Sequence, residues 1–238
     1  MSSRELETAV GPLPSEEIGS DQVAHVAKHI LSLIKGQPLH LGDPIPSEVQ
    51  TARELGVSRG SVREAYRSLS AVGILDVGAG RVPRLQSLDP AVFARLIDYA
   101  LTTAQVDRLN ILETRRAIGM QCANLAARFA TSEQRLRLSE LPAELHSAGA
   151  SVSDQAAIEE KLHLLIASSA GNPLNEMLLC ALWALNSSQH DVGEQSGQRS
   201  SGRIYDSYSN LIDRVCAGDG VGASAAMSVY FDIKLKTA

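Results

Sequence analysis

Residues 56–69, with the sequence GVSRGSVREAYRSL, decide the fold of the N-terminal part of the chain. In an α-helix that turns about 100° per residue, Arg59, Arg63 and Arg67 lie within an arc of about 80°. The apolar residues lie on a separate arc: Val62, Ala65, Tyr66 and Leu69. The stretch therefore predicts a helix that buries one face in a core and holds three arginines together on its outer face.

The residues before this helix predict two more helices. From Asp21 onward the apolar residues follow a helical spacing of i, i+3, i+4, i+7, i+8 and i+11: Val23, Val26, Ala27, Ile30, Leu31 and Ile34. Gly36 ends this first helix, and the prolines within residues 41–46 keep the next segment extended. Ser47 and Gln50 have the S-x-x-Q spacing of a capping box, which predicts that a second, short helix begins there.

The residues after the third helix predict a β-hairpin. Residues 74–77 and 81–85 form two short apolar runs around a glycine-rich tip, Gly78-Ala79-Gly80. Pro83 has no N–H, so the second strand is expected at an edge. The order helix, helix, turn, helix, hairpin predicts a winged helix-turn-helix, a small α+β unit over residues 21–86.

The outer face of the third helix has the chemistry of a DNA-reading surface. Arginine pairs with guanine through two hydrogen bonds in the major groove, where the N-terminal part of such a helix meets base edges. Serine hydroxyls and the helix N-terminus favour phosphates, and a glycine permits close approach. An arginine at the hairpin tip is expected to reach the neighbouring minor groove or a phosphate. The predicted DNA-binding residues are Ser47, Ser58, Arg59, Gly60, Ser61, Arg63, Arg67, Gly80 and Arg81. A merely solvated arginine face is disfavoured, because the helix start, the short preceding helix and the basic wing occur together.

Charge and composition agree with this location of the DNA-binding part. The chain of 238 residues has a formal net charge of −5, yet residues 21–86 carry eight basic and six acidic side chains. Aromatic residues make up only 4%, which favours a helical protein over a β-sandwich. Three scattered cysteines, no apolar run of about 18–20 residues and no catalytic motif predict a cytoplasmic protein that is neither an enzyme nor in a membrane.

The rest of the chain is expected to be helical. Residues 1–20 are interpreted as a disordered tail and residues 87–92 as a linker. Residues 93–238 form the predicted all-α helical bundle, so the fold class is mainly α. The candidate helices span 90–104, 107–130, 132–148, 153–170, 173–187, 204–217 and 219–235. The polar run 186–203 is either a mobile connection or a solvated helix end, and the pattern does not decide between them.

Short motifs in both parts resemble a known family. Pro46-Ser47-Glu48, Leu55 to Arg59, Val62 to Ala65 and Gly73-Ile74-Leu75 resemble the DNA-binding module of GntR-type bacterial transcription regulators. The helical remainder resembles the FCD effector domain of the FadR subfamily, through Leu112 to Arg115, Leu125 to Arg128, Leu162-His163, Gly171-Asn172 and Ala217-Gly218-Asp219. The resemblance implies a homodimer that binds a palindromic double-stranded DNA operator and responds to a small organic acid in the helical domain. Of the two regulatory roles in this family, a repressor is expected rather than an activator.

The resemblance also implies a site for a divalent metal, from which this chain departs. Many such domains hold the metal with an Asp, a His four residues later and two further His. The corresponding positions here are Glu159, His163, Tyr208 and Tyr230. Neutral phenol is a much poorer metal ligand than imidazole, so no cofactor is expected, with Glu159 and His163 as the remaining candidates for a weakly bound divalent metal. A further position that is acidic in such domains, four residues after Arg115, is Gly119 in this chain.

Three interpretations of the effector site stay open at this point. In the first, the site binds its effector directly, with Arg115 paired to a carboxylate and hydrogen bonds from the other candidates: Glu159, His163, Asn172, Tyr208 and Tyr230. In the second, Glu159 and His163 still hold a metal ion, whose coordination the effector or water completes. In the third, the pocket is vestigial and the tyrosines fill core volume.

Overall fold

The structure is a computed structural model that describes residues 21–147, 152–187 and 199–235. The predicted tail, residues 1–20, lies outside the described residues. The chain divides into two compact units between Asp89 and Pro90. The first is a winged helix-turn-helix and the second is helical throughout its described residues, which confirms the mainly α fold class.

The N-terminal unit contains three helices and two short strands: α1 (Asp21–Gly36), α2 (Glu48–Leu55), α3 (Arg59–Ala71), β1 (Leu75–Asp76) and β2 (Arg84–Leu85). The apolar faces of α1 and α3 form its core, with Val26, Ile30 and Val62 fully buried. Tyr66 lies at the centre of this core, where its hydroxyl donates to the carbonyl of Pro46 at 2.6 Å. The bond joins α3 to the turn before α2 and so orients the two helices of the DNA-binding motif.

The two strands of the hairpin are antiparallel and shorter than predicted. Leu75 lies opposite Leu85, and Asp76 lies opposite Arg84. Leu75 is fully buried against the core, whereas Asp76 and Arg84 are exposed. This pairing holds the base of the wing against the core, and the glycine-rich tip connects the two strands.

β2 forms one edge of the two-stranded sheet, as predicted from Pro83, but its outer side is not open. The N–H of Leu85 donates to the carbonyl of Asp43 at 2.9 Å, and the N–H of Ile45 donates to the carbonyl of Pro83 at 2.8 Å. The segment 42–45 therefore pairs with the side of β2 that faces away from β1. Proline is tolerated here because the pairing uses only its carbonyl oxygen, which proline retains.

The C-terminal unit consists, in its described residues, of seven helices: α4 (Pro90–Thr102), α5 (Arg108–Phe129), α6 (Ser132–Ser147), α7 (Val152–Ser169), α8 (Pro173–Ser187), α9 (Arg199–Cys216) and α10 (Gly220–Leu235). Helix α5 is central and packs against α7, α8, α9 and α10. Its contact face is lined by small buried residues, among them Gly119, Ala123 and Ala126, which allow close helix approach. Large side chains from the neighbouring helices fill the remaining core volume.

One helix starts where the candidate helix 90–104 does but overlaps the predicted linker, and another starts earlier than its candidate, 204–217. Helix α4 begins at Pro90, within the predicted linker 87–92, because a proline in the first turn needs no N–H donor. Helix α9 begins at Arg199 and so includes the end of the polar run 186–203, while residues 188–198 of that run lie outside the described residues. Within the described ranges no helix combines the length and apolar character that crossing a bilayer requires.

Candidate functional site

Helix α3 presents the predicted DNA-reading face. Its N-cap Ser58 has extended backbone angles, and its hydroxyl accepts from the N–H of Ser61 at 3.1 Å. Arg59, Arg63 and Arg67 are all exposed, while Val62, Ala65, Tyr66 and Leu69 are buried. The amphipathic pattern of residues 56–69 therefore places three guanidinium groups on one outer face of the unit.

The two predicted serine donors of α3 already have partners within the unit. Ser58 and Ser61 share a hydroxyl–hydroxyl contact of 2.9 Å, and the Ser61 hydroxyl also donates to Oε1 of Gln22 at 3.0 Å. Gly60 is exposed beside them, and a Cβ there would meet only the Ser58 hydroxyl at 3.5 Å. The start of α3 is therefore held by its own side chains and linked to α1 through Gln22.

Helix α2 contributes one acidic neighbour to this face. Ser47 and Gln50 form the predicted capping box, in which Gln50 Oε1 accepts from the N–H of Ser47 at 2.8 Å. The cap places Glu48 at the first helical position, where its Oε2 accepts from Nε of Arg63 at 3.4 Å. The ion pair holds Arg63 over the N-terminus of α2 in the free protein.

The wing carries two further exposed arginines. Gly80 has a φ of 71°, a left-handed angle that favours glycine and turns the tip. Arg81 folds back over Gly78, where a Cβ would clash with its guanidinium group, and its Nη2 lies 3.4 Å from Oδ1 of Asp76. Arg84 donates from Nη1 to the carbonyl of Gly42 at 2.6 Å. The predicted wing residue Arg81 is therefore exposed but paired in the free protein.

A second polar cluster lies inside the helical unit and is centred on His163 of α7. Its imidazole is 1% exposed and stacks on the indole of Trp183, with 4.7 Å between ring centroids. The rings of Tyr230 and Phe231 lie at 4.9 and 5.7 Å. Neither ring nitrogen of His163, nor Nε1 of Trp183, has a hydrogen-bond partner among the described residues.

Burial sets the charge of this histidine. Desolvation, with smaller contributions from the positive charges of Arg115 and Lys234, lowers the pKa of His163 to about 3. The imidazole is therefore neutral at physiological pH and offers one nitrogen as donor and the other as acceptor. Buried polar atoms of this kind generally have partners, so this cluster has hydrogen-bonding capacity that the described residues leave unused.

Glu159, one helical turn before His163, is already bound by two donors. The hydroxyl of Tyr230 donates to Oε1, and Nζ of Lys234 donates to Oε2 at 3.0 Å. The side chain of Glu159 is 12% exposed and that of Lys234 is 24% exposed. Tyr230 and Lys234 are four residues apart on α10, so one face of that helix holds the carboxylate.

Arg115 supplies a second positive charge to the cluster. It is 4% exposed, and its Nη2 donates to the carbonyl of Leu182 on α8. Its guanidinium carbon lies 4.8 Å from the centroid of the Trp183 ring, a cation–π contact. Burial lowers the pKa of Arg115 to about 10, while the carboxylates of Glu159 and Glu160 act in the opposite direction. The group therefore keeps its charge at neutral pH.

The remaining candidates occupy different surroundings. Tyr208 of α9 is buried, with its ring centroid 5.2 Å from that of Tyr230, so it belongs to the cluster. Asn172 does not: its Oδ1 accepts from the N–H groups of Leu174 and Asn175 at 3.2 Å and caps α8. A Cβ at Gly119 would lie 3.3 Å from Phe231, which shows how closely α5 and α10 pack here.

These residues do not fit a divalent metal. Nowhere in the described residues do three His, Cys, Asp or Glu side chains come together. Glu159 has an ammonium group on one oxygen, and His163 is enclosed by the rings of Trp183, Tyr230 and Phe231. Tyr208 and Tyr230, at the positions where the family resemblance places histidines, supply phenols, which bind such ions poorly when neutral.

Three residues of the cluster escape prediction from the sequence: Trp183, Phe231 and Lys234. Lys234 had a usable signal, because it lies four residues after Tyr230 and such residues share a helix face. Trp183 is the single tryptophan of the chain, but nothing in its local spacing connects it to His163. Their contacts depend on how α7, α8 and α10 are arranged around α5, against which all three pack.

Comparisons with known proteins cover both units. A model of the FCD domain matches residues 110–232, and a model of bacterial regulatory proteins of the gntR family matches residues 22–81. The HTH-type transcriptional regulator LutR of Bacillus subtilis (strain 168) is 27% identical over 202 residues, which is 83% of this chain and 92% of LutR. A protein of Escherichia coli (strain K12) named "Putative L-lactate dehydrogenase operon regulatory protein" is 28% identical over 219 residues, 86% of this chain and 81% of that protein.

A solved structure shares the fold. "Streptococcus agalactiae GntR" superposes with a TM-score of 0.62 at 22% sequence identity, over 91% of this chain and 100% of that chain. At this identity the likeness concerns the fold alone. The relatives with named roles are regulators of transcription rather than enzymes, in agreement with the expected absence of catalytic activity.

Proposed function

The chain belongs to the gntR family of bacterial regulatory proteins and carries an FCD domain, so it is a DNA-binding transcriptional regulator, and we propose that it is a repressor controlled by a small organic acid. In this proposal α3 reads a palindromic operator, and the polar cluster around His163 binds the acid directly, without a metal. The observation that carries the DNA-binding part is the exposed row of Arg59, Arg63 and Arg67 on a helix anchored by its opposite face.

The geometry of α3 supports base recognition by its first two turns. Arg59 and Arg63 are one turn apart near the N-terminus, which is the part of a recognition helix that contacts base edges. An arginine paired with guanine O6 and N7 contributes about 1–3 kcal/mol of discrimination against the wrong base. In this proposal Arg67, one turn further, and Arg81 on the wing contact the DNA backbone or the neighbouring groove, and Ser47, Ser58, Gly60, Ser61 and Gly80 shape the approach.

Selection from a pool of random duplexes tests this assignment. The full chain is used to enrich bound duplexes, and its affinity for a selected duplex is then measured by fluorescence anisotropy at fixed salt concentration. Arg63→Ala is expected to weaken binding to the selected duplex by about 10- to 150-fold, since one bidentate contact is lost. Arg137→Ala is the control, because this arginine belongs to the other unit, is exposed and pairs with Glu133 of its own helix. Equal losses in both variants contradict the assignment.

A homodimer is part of the proposal for a physical reason. One short recognition helix contacts too few bases for a unique site, whereas two copies related by a two-fold axis read two half-sites about one helical turn apart. The selected duplexes are therefore expected to contain inverted repeats, and sedimentation of the free protein should give twice the 25.4 kDa chain mass. Single, non-repeated sites together with a monomeric protein would refute this part.

The cluster around His163 supports a small acid as effector. Arg115 and Lys234 bring two positive charges to the cluster, where Lys234 pairs with Glu159, and the nitrogens of His163 and Trp183, which have no partner among the described residues, add hydrogen-bonding capacity. Tyr208 and Tyr230 contribute phenols to the same cluster. An anion with hydroxyl groups has the complementary chemistry. One relative is named for an L-lactate dehydrogenase operon. L-lactate, a hydroxycarboxylate, is therefore a suitable first probe.

Thermal unfolding with a panel of organic acids tests the effector. An acid present at 100 times its Kd is expected to stabilise the folded protein by about 2.7 kcal/mol. The panel contains L-lactate, glycolate and gluconate, with chloride at equal ionic strength as the control. If no acid raises the Tm, a direct effector site is contradicted and the interpretation of a vestigial pocket is favoured.

The repressor role follows from occupancy. A dimer that covers an operator next to a promoter blocks polymerase without any further contact surface, so repression is the simplest result of the binding that α3 supports. A promoter carrying the selected duplex should drive less reporter in the presence of the protein, and Arg63→Ala should restore expression. An increase in reporter with the unaltered protein would identify an activator instead.

A further inference from the structure

The surroundings of Glu159 explain why the site differs from a metal centre. Both carboxylate oxygens have a donor, the Tyr230 hydroxyl on Oε1 and the Lys234 ammonium on Oε2 at 3.0 Å. A transition-metal ion binds a carboxylate oxygen at about 2.0–2.2 Å. An ion on Oε2 would therefore be close to the ammonium group that already contacts this oxygen, and the two positive centres would repel each other across a partly buried site.

We infer that Lys234 takes the place of a metal ion in this domain: its ammonium neutralises Glu159 and provides the positive charge to which an anionic effector binds. The second half of this inference rests on the proposed effector response, whereas the exclusion of metal does not. Arg115 interacts electrostatically with Glu159, but its guanidinium contacts the Leu182 carbonyl and the Trp183 ring, whereas the Lys234 ammonium contacts the carboxylate directly.

The position of Lys234 suits both roles. Its side chain is 24% exposed, so part of it is open to an incoming ligand, while the side chain of Glu159 is only 12% exposed. The His163 ring, whose nitrogens have no partner among the described residues, stacks on Trp183 and lies 4.9 Å from the ring of Tyr230, which donates to Glu159. A ligand with a carboxylate for Lys234 and a hydroxyl for the His163 ring would satisfy both observations.

Isothermal titration of the full chain with zinc chloride and manganese chloride tests the exclusion of metal. Protein purified without a histidine tag or chelator is expected to contain no bound transition metal and to show no binding that depends on His163. In Lys234→Met, Glu159 loses its ammonium partner, so zinc affinity should rise at least about tenfold. This gain should disappear in the double variant His163→Ala/Lys234→Met. Lys161→Met, an exposed lysine of α7, should behave as the unaltered protein.

Two results overturn the exclusion of metal. One is a full equivalent of metal in the unaltered protein that is lost in His163→Ala. The other is a Lys234→Met protein, folded by circular dichroism and Trp183 fluorescence, whose zinc affinity equals that of the unaltered chain. Lys234→Gln provides a second variant for the same comparison if Lys234→Met does not fold.

The anion half is tested with L-lactate, glycolate and gluconate by the Tm of the same variants. The affinity of an acid that raises the Tm of the unaltered protein should fall at least about tenfold in Lys234→Met and be largely retained in Lys234→Arg. Equal affinity of the acid for Lys234→Met and for the unaltered protein would overturn the inference that Lys234 binds the anionic effector. If no acid of the panel binds the unaltered protein, the proposed effector response fails, and the metal titration still decides whether Lys234 replaces the ion.

Discussion

The outer face of α3 and the interior cluster around His163 are both rich in polar side chains, but they obtain their chemistry in opposite ways. On α3 the arginines are exposed, and Arg63 pairs with Glu48 at the surface. Around His163 the polar groups are enclosed, and each is positioned by a residue from another helix. The first surface is ready for a large, charged partner, while the second suits a small ligand that replaces existing contacts.

The largest expected effect is on the stability of the interior cluster, which a substitution of Phe231 measures. Phe231 is 1% exposed and packs against the rings of His163 and Tyr230. Phe231→Ala should lower the free energy of unfolding of the helical unit by about 3–5 kcal/mol, because it removes a buried ring and leaves a cavity. Trp183, the only tryptophan, reports unfolding of this unit by its fluorescence in urea.

Val229→Ala is the matched control for this change. Val229 lies on the same helix but is 53% exposed, so its truncation should change the free energy of unfolding by less than about 0.5 kcal/mol. Similar losses in both variants would show that α10 is not anchored by the cluster.

The next effect, about 2 kcal/mol, concerns pH. The pKa of His163 is lowered to about 3 in the folded protein, whereas in the unfolded chain it takes its ordinary value near 6.5. The stability contributed by the neutral ring is therefore complete above pH 6.5 and is lost as the pH falls toward 3. Each pH unit in this window costs about 1.4 kcal/mol, so unfolding in urea followed by Trp183 fluorescence should show a loss of about 2 kcal/mol between pH 7 and pH 5.

His163→Leu should remove most of this pH dependence, because leucine binds no proton in either state. His40→Leu, which removes an exposed histidine of the other unit, should leave it unchanged. If the slope of stability against pH is the same in all three proteins, His163 is not the buried neutral group that the structure describes.

A smaller effect is expected at the start of α3. The Ser58 hydroxyl caps the helix, so Ser58→Ala should destabilise the N-terminal unit by about 1 kcal/mol, while Ser58→Asp should preserve the cap. Thermal unfolding followed by circular dichroism measures both variants. An unchanged Tm in Ser58→Ala would mean that the contact of Ser61 with Gln22, rather than the cap, holds the helix start.

The smallest expected effect concerns the ion pair of Arg63 with Glu48, which competes with DNA for the arginine. Exposed ion pairs contribute at most about 1 kcal/mol, so Glu48→Gln should raise the affinity for a random duplex by no more than about fivefold. Anisotropy titrations with one random duplex measure the change, and Glu64→Gln on the outer side of α3 serves as the comparison. A loss of affinity in Glu48→Gln would indicate that Glu48 positions Arg63 for DNA instead of competing with it.

The same contrast explains what the sequence could predict. All determinants of the α3 face lie within fourteen consecutive residues, and helical geometry alone separates its arginines from its apolar side chains. The cluster combines Glu159 from α7, Trp183 from α8 and Lys234 from α10, which no local spacing relates. Asn172 was expected in the cluster but caps α8; its position just before Pro173 is a cap signal that sequence reasoning could have used.

The comparison of a selected duplex with a random one, for the unaltered chain and for Arg59→Ala/Arg63→Ala, tests the central claim most directly. At fixed salt concentration the unaltered chain should bind the selected duplex at least about 10³-fold more tightly than the random duplex. The double variant should lose most of this ratio while it keeps its Tm and much of its affinity for random DNA. A double variant that keeps the full ratio would contradict the assignment of α3 as the recognition helix.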